Sequence, residues 1–215
     1  MANKLIDALL NLLFPDRCVV CKRVGDLLCS ACCRSLAPYP FTQERISGLD
    51  AMHIAFVFEG VIRPAIHHLK YYKKRRIGHL LGDILGDYCK AEQLSGDAVI
   101  PVPLHHKRKQ ERGFNQSELL AERVAQLNGL PLLLNKVERV RYTEQQAHLD
   151  AAARRRNMQN AFRWKGTQAA PKRVLLIDDV LTTGATMAAC AEALRLAGSQ
   201  EIKGVALARS RLGQS

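Results

Sequence analysis

The sequence has no long apolar run. Its most hydrophobic stretch near the start, "LIDALLNLLF", is broken by Asp7 and Asn11, and it stops well short of the ~20 apolar residues that a membrane span requires. No A-x-A-like cleavage site follows, so the expectation is a cytoplasmic chain with neither a signal peptide nor membrane insertion. Three phosphate-handling or nucleophile motifs are also missing. Without G-x-x-x-x-G-K-[ST] there is no P-loop, and without G-x-G-x-x-G after a strand no dinucleotide fold is indicated. Without G-x-S-x-G there is no nucleophile elbow. Internal repeats and low-complexity tracts are absent, and 47% hydrophobic with 24% charged residues is the balance of a globular protein. Acid is in short supply: 20 Asp plus Glu stand against 32 Lys plus Arg in 215 residues, a formal net charge of +12. That surplus points to a polyanionic partner or substrate.

The positive charge is clustered. "KYYKKRR" runs from Lys70 to Arg76 and includes Lys73, Lys74 and Arg75; "KRKQER" covers Lys107 to Arg112, and "RRR" covers Arg154 to Arg156. Any one run can be a solvated face, but three on one chain favour phosphate or nucleic-acid contact. Tyr71, Tyr72 and Trp164 lie among these cations, a composition suited to stacking the bases of a single strand, although packing explains such aromatics equally well.

Cysteines divide the chain. Cys18, Cys21, Cys29 and Cys32 form C-x2-C-x7-C-x2-C within "CVVCKRVGDLLCSACC". Two closely spaced thiolate pairs suit tetrahedral sulfur coordination of a structural Zn²⁺. Disulfides are the competing reading, which a reducing compartment disfavours. Cys33 competes with Cys32 for the fourth position. Cys89 and Cys190 read as small buried residues.

After "LAPYPF" (Leu36 to Phe41), read as a linker, strands alternate with helices. Strands are expected at Ala51 to Phe58, Gly96 to Pro103, Lys136 to Arg141, 172 to 178 and 202 to 208. Helices are expected at about Arg63 to Tyr72, Ile77 to Leu94, Gln116 to Asn128 and 184 to 197. Asn115 is the expected cap of the third helix, with Glu118 at the capping-box position and Gly129 after its end. This alternation implies an α/β fold with a mostly parallel sheet flanked by helices.

The most informative stretch is "VLLIDDVLTTGAT", Val174 to Thr186. A buried strand delivers Asp178 and Asp179 to the carboxyl edge of the sheet, where ligands of open α/β folds bind. The turn beyond it offers Thr182, Thr183 and Thr186 hydroxyls, with backbone N–H groups near Gly184 and the positive end of a helix dipole, which together make a monophosphate cradle. Two carboxylates beside such a cradle accept hydrogen bonds from sugar hydroxyls or hold Mg²⁺ through water.

This stretch resembles the phosphoribosyl diphosphate (PRPP) signature of type I phosphoribosyltransferases. Together with "FPDRCVVC", "LCSACC", "HHLKYYKKRRIG", "PVPLHHKRKQERGFNQSELLA" and "RYTEQQAHLDAAARRRNMQNAF", the chain is similar along nearly its whole length to the ComF family of competence and DNA-utilisation proteins. The resemblance implies a small zinc-ribbon-like module over 1–42 and a phosphoribosyltransferase-like domain over 43–215. It assigns Asp178 and Asp179 to ribose hydroxyls and Thr182, Thr183, Gly184, Ala185 and Thr186 to the 5′-phosphate. Pro103, Leu104, His105, Lys107, Arg108 and Arg112 fall to a pyrophosphate loop, and Thr143 to Asn157 to a lid. His105 and His106 are expected at the surface. Mg²⁺ would accompany PRPP and neutralise its diphosphate. The family implies handling of single-stranded DNA during uptake, with Lys70, Lys73, Lys74, Arg75 and Arg76 as its contacts. A helicase or channel of the uptake machinery is a further partner that the cysteine module could dock. Phe41 to Leu94 stands where related enzymes carry an acceptor-binding hood but shows no nucleobase pocket. Whether PRPP is turned over or only bound therefore stays open.

Overall fold

The computed structural model describes residues 15–41, 44–71, 75–140 and 161–210. The helices among them are α1 (Ser30–Arg34), α2 (Ile62–Tyr71), α3 (Arg75–Ala91), α4 (His106–Arg112), α5 (Gln116–Asn128) and α6 (Ala185–Leu196). The strands are β1 (Ala51–Val57), β2 (Ala98–Pro101), β3 (Val137–Arg139), β4 (Phe162–Trp164), β5 (Arg173–Leu181) and β6 (Glu201–Arg209).

Four strands form a sheet in the order β1-β6-β5-β2. Every pair in it is parallel, as the alternation of elements predicts. Alternate residues of β5 face opposite layers. Leu175 and Ile177 join Ile62 and Leu69 of α2, Ile77 and Leu81 of α3, and Leu120 and Val124 of α5. Val174 and Leu176 join Met187, Cys190, Ala191 and Leu194 of α6, with Val137 and Phe162 of the antiparallel β3-β4 pair. Covering both faces explains why "VLLI" is continuously apolar rather than alternating. Each such Leu or Ile taken fully out of water contributes ~1.5–3 kcal/mol.

Close helix packing sets where α5 begins. Gly78, Gly82 and Gly86 form a stripe on α3, and a Cβ at these positions would come within 2.6 Å of Leu119 Cδ1, 2.8 Å of Arg123 Cβ and 2.8 Å of Leu127 Cδ1 respectively. The stripe lets α3 and α5 approach backbone to backbone. Asn115 caps α5 as expected, its side chain accepting from the Ser117 N–H at 3.1 Å. Glu118 pairs with Lys109 Nζ at 2.8 Å.

The structure corrects three readings. β5 continues past Asp178 to Leu181, because β6 extends beside it and pairs Val180 with Ala208 and Leu181 with Arg209. "KRKQER" is largely a short helix, α4, capped by His105 and stopped by Gly113 at φ 80°. "LAPYPF" lies along β1, with Val57 N–H donating to the Ala37 carbonyl at 3.0 Å and Tyr39 N–H to that of Ala55 at 3.0 Å. The cysteine segment shares its core with the sheet, since Val19, Leu27 and Leu28 cluster with residues of α2 and α3. No helix among the described residues is long and apolar enough to cross a membrane.

Candidate functional site

Asp178 and Asp179 stand near the carboxyl end of β5, and three other elements converge on them. From the first turn of α5, the Ser117 hydroxyl donates to Asp178 Oδ1 at 2.8 Å, and the Asp179 N–H donates to the same oxygen at 2.9 Å. From the last turn of α2, Lys70 Nζ lies 2.9 Å from Asp179 Oδ2. Asp179 is buried, and among the described residues Oδ2 accepts no well-aligned hydrogen bond besides this charge contact. From the end of β2, Val102 N–H donates to the Ile177 carbonyl at 2.9 Å, while Asn115 Nδ2 donates to the Val102 carbonyl at 2.9 Å. The loop after β2 is thereby held beside the acid pair.

These surroundings act on the protonation of Asp178. Enclosure by protein, followed by the neighbouring Asp179 charge, pushes the Asp178 carboxyl up to about 7, against the pull of Ser117, the Asp179 N–H and Lys70. Asp178 therefore holds a proton far more readily than a surface carboxylate does.

The turn after β5 has the shape of an anion cradle. Gly184 takes φ 77° as the N-cap of α6, and a Cβ there would lie 2.5 Å from Ile46 Cδ1. Only glycine meets both conditions. Gly184 caps α6 without a side-chain hydrogen bond. The positive end of the α6 dipole lies at this turn. The Ala185 N–H donates weakly to Thr183 Oγ1 at 3.4 Å. Thr182 is exposed, and Thr183 and Thr186 are half-buried.

The other expected site residues divide. Pro103, Leu104 and His105 form the loop after β2, whereas Lys107, Arg108 and Arg112 lie on α4. His105 is buried rather than at the surface, because its ring accepts from the Lys107 N–H at 3.4 Å and caps α4. Burial, then the nearby His106 and Arg139 charges, keeps its imidazole below the usual range. His106 is exposed. Arg112 donates to Gln116 Oε1 at 2.9 Å and lies 5.9 Å from the Tyr71 ring centre. In the basic run, Lys70 turns inward to Asp179, Arg76 pairs with Asp16 at 2.7 Å, and Arg75 lies 5.9 Å from the Phe114 ring centre. Trp164 packs against the α6 layer, its Nε1 donating to the Gln168 carbonyl at 2.9 Å. Lys73, Lys74, Tyr72, the lid segment and Arg154 to Arg156 lie outside the described residues. Sequence reading missed Ser117 and Lys70 as partners of the acid pair. Ser117 closes "FNQS" and Lys70 opens the basic run, and neither position signals a contact with the acid pair.

The sulfur atoms of Cys18, Cys21, Cys29 and Cys32 all lie within 4.8 Å of one another. Cys18 and Cys32 are 3.7 Å apart, and Cys21 and Cys29 are 3.6 Å apart. A tetrahedral ion with bonds of about 2.3 Å has sulfur–sulfur edges of about 3.8 Å, so the cluster fits a bound metal ion such as zinc. The competing disulfide would need about 2.05 Å. Burial pushes the Cys18 thiol up, but N–H donors from Cys29, Cys21 and Val20 outweigh it and hold the thiol at about 6. Burial, then the neighbouring sulfurs, drives Cys32 up to about 12. A bound cation would favour the thiolate form of all four sulfurs. Cys33 is not a member: its sulfur contacts the Leu28 carbonyl at 3.7 Å, which leaves Cys32 as the fourth sulfur of the cluster.

A doubly covered parallel sheet, an acid pair near the carboxyl end of β5 with a glycine-capped helix start beyond it, and a four-cysteine cluster that could hold a metal define a phosphoribosyltransferase-type domain with an N-terminal cysteine element. The family described as phosphoribosyl transferase domain matches residues 118–214. The chain is 32% identical to Competence protein F of Haemophilus influenzae, over 92% of this chain and 98% of that protein. It therefore belongs to the ComF family. It is also 34% identical to DNA utilization protein YhgH of Salmonella typhi, over 67% of this chain and 66% of that protein. With Competence protein ComFC of Bacillus subtilis it shares 34% identity over 41% of this chain and 34% of that protein. Among solved structures, glutamine PRPP amidotransferase from B. subtilis aligns with a TM-score of 0.41 at 21% identity, over 60% of this chain and 25% of that one.

Proposed function

We propose that the chain binds PRPP with Mg²⁺ at the edge formed by β5, the 182–186 turn and the loop after β2. In this reading it works in DNA uptake and utilisation by handling single-stranded DNA in the cytoplasm. The observation that carries the reading is the acid pair beside the glycine-dependent cradle. Asp179 Oδ2 lacks a well-aligned hydrogen bond among the described residues, and a ribose hydroxyl supplies the missing donor. Asp178 takes the neighbouring hydroxyl, the Thr182 to Thr186 turn takes the 5′-phosphate, and Lys107, Arg108 and Arg112 stand on the side of the diphosphate. Mg²⁺, carried by the diphosphate oxygens, offsets their charge. The cysteine cluster holds a structural zinc, and its exposed side is the surface for a protein partner of the uptake machinery. Support for DNA comes from the names of the relatives, the net charge of +12 and the exposure of Tyr71, Arg75 and Arg76.

Titration calorimetry with PRPP and Mg²⁺ tests the core of this reading. Wild type binds, and Asp179→Ala, with an unchanged circular dichroism spectrum, does not; equal affinity in both would refute the site. A second reading, an active phosphoribosyltransferase, is favoured by the tether that holds the loop after β2 beside the acid pair, where leaving pyrophosphate would be received. Release of pyrophosphate that depends on an added acceptor, drawn from single-stranded DNA and a nucleobase panel, would establish it. Absence of release from protein that binds PRPP would leave the binding reading alone.

A further inference from the structure

Lys70 is the first residue of the basic run, yet it serves the acid pair. Its helix packs through Ile62, Ala65, Ile66 and Leu69, all buried, which fixes the direction in which the last turn projects. The Lys70 and Asp179 side chains are only 22% and 12% accessible. Two adjoining carboxylates in an enclosed cleft repel each other, and this ammonium stands 2.9 Å from Asp179 Oδ2.

The consequence follows from the chemistry of the ligand, and it rests on the PRPP reading above. In PRPP the diphosphate is on C1, one carbon from the hydroxyl of C2 and two from that of C3. A hydroxyl that donates to Asp179 Oδ2 takes the oxygen at which Lys70 now stands. A half-enclosed ammonium without its partner is costly, and the ligand supplies a replacement anion one carbon away. We propose that Lys70 is an exchange residue of the sugar phosphate site. It neutralises Asp179 in the free protein and passes to the diphosphate when ribose hydroxyls occupy Asp179. It thereby selects the diphosphorylated sugar over ribose 5-phosphate, which offers the hydroxyls but no diphosphate.

The test is the ratio of affinities for PRPP and ribose 5-phosphate, both with Mg²⁺, measured by titration calorimetry on wild type, Lys70→Met, Lys70→Gln and Lys70→Arg. Lys70→Met keeps the apolar stem, and Lys70→Gln keeps a polar tip should the first variant fold poorly. In either, the preference for PRPP falls roughly tenfold, the scale of one charge-assisted hydrogen bond. The fall comes from weaker PRPP binding, while ribose 5-phosphate binds at least as well as before. Lys70→Arg retains most of the preference. Equal loss for both ligands would reduce Lys70 to a support for the acid pair, and no change for either would remove it from the site; both outcomes overturn the proposal. Wild type that binds neither sugar phosphate would instead sink the PRPP reading and this inference with it.

Discussion

At the residue scale, Asp178 is the group whose behaviour the geometry most constrains. Its folded-state value of about 7 stands above the ordinary 3.8, so between those values the folded chain binds more protons than the unfolded one. Stability from this group is full below about pH 4 and is lost as pH rises through about 7. Asp178→Asn keeps the shape and the acceptor oxygen while removing the charge. It should raise the melting temperature at pH 8, with a gain that shrinks toward pH 5; a gain independent of pH would show that the carboxyl is not perturbed. The Ser117 hydroxyl favours the ionised form, so Ser117→Ala should move the acid limb of PRPP binding to higher pH, by up to about one unit. Binding profiles of the two proteins that superimpose would exclude Ser117 from that role.

At the element scale, two local devices hold the site in place. The glycine stripe of α3 lets α5 sit close enough for Ser117 to reach β5. Gly82→Val would drive a methyl into Arg123 Cβ, 2.8 Å from an ideal Cβ. The expected cost is about 1–3 kcal/mol, read from urea denaturation, with weaker sugar phosphate binding as the second effect. A stability equal to wild type would mean that the helices separate freely. The cysteine element is the other device. It is tied to α3 by Asp16 and Arg76 at 2.7 Å and shares the core beneath α2. Apparent structural zinc affinities are on the order of 10 kcal/mol, available to folding. If the cluster holds zinc, Cys18→Ser or strong chelation should remove it and lower the melting of the whole described core in one transition. Two separate transitions in calorimetry would show that the element folds independently.

At the scale of the molecule, the +12 charge is the property that a polyanion meets first. If single-stranded DNA binds across the exposed basic face, affinity falls steeply with salt, and each phosphate contact removed lowers the log–log slope by about 0.7. Arg75→Glu with Arg76→Glu should weaken oligonucleotide binding at low salt and flatten that slope while PRPP binding persists. Retention of both affinity and slope would move the DNA surface elsewhere on the chain. Lys70 does not belong in that test, because the ion pair with Asp179 withdraws it from the face on which Tyr71, Arg75 and Arg76 are exposed.

Sequence alone determined what depends on short-range pattern. The C-x2-C-x7-C-x2-C spacing, the apolar strand ending in two aspartates, the cap at Asn115 and the alternation of strands with helices were all legible, because each is set by neighbours a few residues apart. Partners distant along the chain were not. Ser117 meets Asp178 across 61 residues. Lys70 reaches Asp179 only because α2 is laid over the sheet by its buried stripe. The length of β5 depended on how far β6 runs beside it, and the burial of His105 on whether α4 forms and needs a cap. The upward shift of the Asp178 carboxyl, the lysine that pairs with Asp179, and which of two adjacent cysteines joins the four-sulfur cluster were decided by tertiary structure. Charge and coordination depend on what stands within a few ångströms, and the linear order of residues does not carry those distances.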